Sequence, residues 1–76
     1  MEISNEDLMT IFYEGFDDSL KGTLNEEKYK ELSLERSAYI TGDFHAYFGD
    51  EHKGIDYMSK EETIKEIYDR YISWRN

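Results

Sequence analysis

A pair of glycines seven residues apart occurs twice in this chain, at Gly15 and Gly22 and again at Gly42 and Gly49. The flanking residues match at the same offset of 27, so that Phe12 falls on Tyr39 and Leu20 on Tyr47. A glycine inside a helix costs about 1 kcal/mol against alanine, and a helix that keeps one gains something in return, most simply the close approach of another backbone. Gly15 and Gly42 are therefore expected at the crossing of two antiparallel helices, and Gly22 and Gly49 at their left-handed stops.

Local signals extend this into an all-α domain. Ser4, with Asp7 three residues later, opens a first helix over about 5–21, in which Leu8, Ile11, Phe12, Ser19 and Leu20 share a stripe. Residues 23–33 read as a connector with Asn25 as a cap and one helical turn holding Tyr29 and Leu32. Ser33 can cap a second helix over about 34–48, where Ile40, Phe44, Tyr47 and Phe48 follow the i, i+4, i+7, i+8 pattern. A strand reading competes there, because Phe44, Ala46 and Phe48 alternate and Thr41-Gly42-Asp43 could turn a hairpin. Ser59 and Glu62 form a capping box that opens a C-terminal amphipathic helix over about 60–75. Its stripe is Ile64, Ile67, Tyr68, Tyr71, Ile72 and Arg75, and Glu61–Lys65 and Glu66–Arg70 stand at the i, i+4 spacing on its outer face.

Seventy-six residues make one domain, near the size at which a single core is only marginally stable. Cysteine is absent, which removes disulfides and thiolate metal sites, so the twelve aromatic residues must supply most of the buried area. No apolar run approaches the ~18 residues of a membrane span and no signal peptide is visible, which makes a cytoplasmic protein the expectation.

Charge excludes more than it identifies. Eighteen acids against nine bases give a formal net charge of −9, whereas binding a nucleic-acid backbone needs a basic face that displaces counterions. The expected partner is basic, or the charge is only solvated. The surplus lies at the front, where residues 1–22 hold six acids and one base. Glu6 and Asp7 suit the positive end of the first helix. Asp17 and Asp18 stand near its negative end, where they cost a few tenths of a kcal/mol. Either they are tolerated on an exposed face or they serve a partner.

Sites for chemistry are few. The stretch from Asp50 to Glu61 has the length of a calcium loop, with Asp50, Asp56 and Glu61 at places 1, 7 and 12, but Ile55 stands where the turn glycine belongs. His45 and His52 lack a third ligand, and His45 is read as a partly packed residue of the hairpin. No nucleophile with a base, no phosphate loop and no metal motif accompanies the carboxylates. The expectation is a protein with no catalytic residues, no metal and no cofactor.

Two resemblances sharpen this. Gly15, Phe16, Ser19, Leu20 and Gly22, followed by Tyr29, Leu32, Arg36, Ser37, Tyr39 and Gly42, resemble the pattern of the ribosome modulation factor family over residues 12–48. That resemblance implies a two-helix hairpin and a ribosome-associated module, which at this charge would contact basic ribosomal proteins instead of RNA. In type, a very small, cysteine-free, acidic and aromatic-rich chain also resembles phage-encoded inhibitors that imitate DNA and occupy the nucleic-acid site of a host protein. The leading expectation is such a DNA mimic, acting on a basic DNA-binding protein such as a nucleoid protein, nuclease or polymerase. Glu14, Asp17 and Asp18 would carry the contact, joined by Asp43, Asp50 and Glu51 if the hairpin brings its ends together. One helix is several-fold sparser in charge than duplex DNA. Two copies side by side would approach one turn of duplex, roughly 20 phosphates over ~34 Å. A homodimer is therefore expected, with Tyr57, Tyr71 and Trp74 available for its seam. A small structural or assembly protein is the third class.

Overall fold

The computed structural model describes residues 3–49 and 59–75 of the chain. Among the described residues there are three α-helices, α1 (Asn5–Lys21), α2 (Leu34–Gly49) and α3 (Lys60–Arg75), with a 3-10 turn, Glu26–Lys28, in the connector between the first two. Each start is capped as its sequence requires. The Asp7 amide donates to Ser4 Oγ at 3.1 Å, Glu27 to Asn25 Oδ1 at 3.1 Å, Arg36 to Ser33 Oγ at 3.0 Å and Glu62 to Ser59 Oγ at 3.1 Å, so first-turn donors that would lack an intrahelical partner are satisfied. At the other end of α1, Gly22 takes φ 73°, and the amides of Gly22 and Thr23 return to the carbonyls of Ser19 and Asp18. Few residues other than glycine adopt that conformation without strain.

α1 and α2 cross antiparallel at their glycines. A Cβ on Gly15 would land on the Tyr39 carbonyl oxygen, and one on Gly42 would land on the Phe12 carbonyl oxygen and lie 2.7 Å from the Phe16 amide nitrogen. The two main chains therefore touch, and only glycine fits at either position. Around the crossing, Leu8, Phe12, Ala38, Tyr39 and Ile67 have no solvent exposure. Full burial of a large apolar side chain contributes roughly 1.5–3 kcal/mol, which gives these few residues most of the work of holding the domain.

α2 is the enclosed helix. Ser37 to Gly42 are all buried, because α1 covers one flank and α3 the other. The flank toward α3 carries a polar row at four-residue spacing, Ser37, Thr41 and His45. The Ser37 hydroxyl donates to the Ile67 carbonyl at 2.6 Å, Thr41 Oγ1 accepts from the Arg70 guanidinium, and His45 Nε2 lies 3.0 Å from Glu66 Oε1. Arg70 also pairs with Glu66 at 3.3 Å and covers the Phe44 ring at 4.7 Å.

Several expectations change. The strand reading of 37–48 gives way to helix, since a pleated chain could not bring Gly42 onto Phe12 and Phe16. The expected stripe of α2 holds only in part: Ile40 is buried, but Phe44 is 40% and Tyr47 76% exposed, because a helix covered on two flanks buries a wide arc rather than one stripe. Leu20, expected inside α1, is 58% exposed, whereas Met9 is buried. Lys65 pairs with Asp69 at 3.1 Å and not with Glu61. Tyr29 and Leu32 lie beyond the connector's turn, and Leu32 adopts φ 63°. α2 runs to Gly49; residues 50–58, with His52 and most of the calcium-like spacing, lie outside the described residues, and Glu61, its last place, stands in the first turn of α3. His45 is half-buried, edge-on to Phe12 at 5.2 Å between centroids, as its reading as a packed hairpin residue implies.

Candidate functional site

The connector crosses the acidic flank of α1, and that crossing decides what the expected site residues do. Glu14 and Asp18 stand one turn apart on α1. Glu14 accepts from Lys28 Nζ at 2.6 Å and from the Tyr29 hydroxyl. Asp18 accepts from the Tyr39 hydroxyl at 2.6 Å and lies 3.8 Å from the same Lys28 nitrogen. The Tyr39 oxygen in turn accepts from the Asn25 amide at 3.0 Å. Residues from α1, the connector and α2 thus meet in one polar group, with the Tyr29 and Tyr39 rings 5.5 Å apart behind it.

Its electrostatics follow from the partners. The hydrogen bonds from Lys28 and then Tyr29 hold the Glu14 carboxyl below its ordinary range. Burial, and then the bond to Glu14, push the Tyr29 hydroxyl up to about 12, and burial followed by the bond to Asp18 raises Tyr39. At neutral pH both tyrosines are therefore neutral donors. They fix the two carboxylates without cancelling their charge, and the one cation of the group, Lys28, answers two acids.

Of the expected contact residues, Glu14 and Asp18 are brought together, and Asp17 lies exposed between them with no hydrogen bond or ion pair among the described residues. Asp43 is half-buried on α2 and shares none of the bonds of that group. Asp50 and Glu51 lie outside the described residues. Acids without an ion pair are found on every element, among them Glu6 on α1, Glu27 in the connector, Glu35 on α2 and Glu62 on α3. Sequence reasoning missed Lys28, Tyr29, Tyr39 and Asn25 as members of the site. Tyr39 carried a signal, as a large residue directly before the crossing glycine region, but the course of the connector carried none.

Among the described residues no group of three or more His, Cys, Asp or Glu side chains is placed to hold a metal ion, and no helix is long and apolar enough to cross a membrane. Comparison with protein-family models, curated proteins and solved structures found no match for this chain.

Proposed function

We propose that this protein is a non-enzymatic inhibitor that works as a DNA mimic, presenting carboxylates to the DNA-binding site of a basic protein. The observation that carries the reading is the fixing of Glu14 and Asp18 by neutral tyrosine hydroxyls, next to an exposed Asp17. Carboxylates held in place lose little freedom on binding, so more of the Coulomb attraction appears as affinity. Lys28 marks where a partner's ammonium or guanidinium would sit, since a single nitrogen already approaches both acids. Steering by a net charge of −9 would make association fast and sensitive to salt. A second reading, a ribosome-associated hairpin contacting basic ribosomal proteins, draws on the close glycine crossing of α1 and α2.

The test is competition. Basic proteins retained from a host lysate on the immobilised chain are expected to elute with salt and to be displaced by duplex DNA. Asp17→Lys, which touches no internal bond, is expected to weaken retention at least tenfold with the helical circular dichroism unchanged. Retained proteins that duplex DNA fails to displace would refute mimicry, and co-sedimentation with ribosomes would favour the second reading.

A further inference from the structure

The last two turns of α3 overhang the connector, and beneath them lies a groove of about 630 Å³ floored by Ile3, Leu32, Leu34, Tyr68 and Tyr71. A recess of about 260 Å³ adjoins it, bounded by Ile40 and Trp74, and Leu32 lines both. Four charged residues border the groove: Lys30 and Arg75 are basic, Glu31 and Glu35 acidic. Lys28 pairs with Glu14 and Arg36 with Glu26, but none of the four around the groove makes an ion pair within the described residues. Arg75 only stacks on the Tyr71 ring, at 5.4 Å.

We infer that this groove is the seam of a two-fold homodimer. A surface that pairs with a second copy of itself must be self-complementary, each residue i meeting j while j meets i. Two unpaired cations and two unpaired anions around an apolar floor supply the charges such pairing needs, because the acids of one copy can meet the bases of the other. Two chains of net charge −9 repel, and the balanced groove is where they can approach. Leu32 adds a separate observation. It holds φ 63° with 49% of its surface exposed, a backbone conformation that costs a residue other than glycine roughly 1–2 kcal/mol. That backbone presents an apolar side chain on the ridge between two recesses, where the recess of a partner copy receives it. Glu14, Asp17 and Asp18 take no part, so the inference stands apart from the proposed function.

Sedimentation equilibrium of the full chain tests it. The wild-type chain is expected to dimerise. Two doubly charge-reversed variants, K30E/R75E and E31K/E35K, are each expected to weaken self-association at least tenfold, and their equimolar mixture to restore it. E31K/E35K also separates the seam from gross repulsion, because it lowers the net negative charge and simple repulsion would then favour association. Leu32→Gly relieves the backbone and is expected to leave the dilute monomer at least as stable while weakening the dimer at least tenfold. A wild-type chain that stays monomeric at 100-fold above the micromolar range, or a mixture of the two variants that does not reassociate, overturns the inference.

Discussion

Replacing either crossing glycine by alanine sets two known effects against each other. Alanine is the better helix former by about 1 kcal/mol, so at an open position Gly15→Ala would stabilise the domain. At the crossing, the new methyl group meets main-chain atoms: the Tyr39 carbonyl carbon would lie 2.8 Å from it and the Phe16 nitrogen 2.7 Å from a Cβ on Gly42, against an ordinary contact of 3.4–4 Å. Backbone cannot rotate aside as a side chain end can, so the helices must part by on the order of 1 Å, loosening packing around Phe12 and Tyr39. Overpacking of this kind costs ~1–3 kcal/mol, and the rigid obstacle places it at the upper end. Net of propensity, each substitution is expected to destabilise by about 2 kcal/mol, a fall in melting temperature of roughly 8–16 °C for a domain of this size. Because both methyl groups force the same separation, the double variant should lose less than the sum of the singles. Gly22→Ala is the control. A Cβ there meets nothing within 4 Å, and only the left-handed φ penalises it, by about 1 kcal/mol. Urea unfolding followed at 222 nm measures all four at one protein concentration. Gly15→Ala or Gly42→Ala variants more stable than the wild-type chain would refute the close crossing.

Two further outcomes test the polar group. Tyr39→Phe removes a hydroxyl that donates to Asp18 and accepts from Asn25, and should cost about 1–2 kcal/mol while speeding amide exchange in residues 23–33 more than in α3. Tyr29 gives a pH signature. Its hydroxyl is raised in the folded chain to about 12 from an ordinary value of 10, so its contribution is complete below pH 10 and is lost as pH rises through 12. The urea midpoint should therefore fall across that window, and a Tyr29→Phe chain that falls as steeply would show the loss to come from elsewhere.

The parts of this fold that could be read from the chain were those governed by local rules. The caps at Ser4, Asn25, Ser33 and Ser59 obey short-range hydrogen-bonding geometry. The crossing glycines were legible because their cost within a helix requires a return. α2 misled because a periodic stripe presumes one covered flank, whereas α1 and α3 cover two, and the aromatic residues Phe44 and Tyr47 were moved outward as a result. The candidate site misled for a related reason. On a helical wheel Glu14 and Asp18 face solvent, and no pattern in residues 22–33 reveals that the connector returns across them with Lys28 and Tyr29. Long-range placement of an irregular segment depends on the finished packing, to which local spacing is blind.

The row Ser37, Thr41 and His45 has a consequence for how the third helix is seated. Greasy contacts alone tolerate sliding, since one isoleucine serves nearly as well as the next. Directional bonds to Ile67, Arg70 and Glu66 act instead like the wards of a lock: displaced by a single turn, every tooth would meet the wrong notch and strand a buried hydroxyl. A protein with so small an apolar interior thereby obtains one alignment of its last helix and not a family of near-equivalent ones.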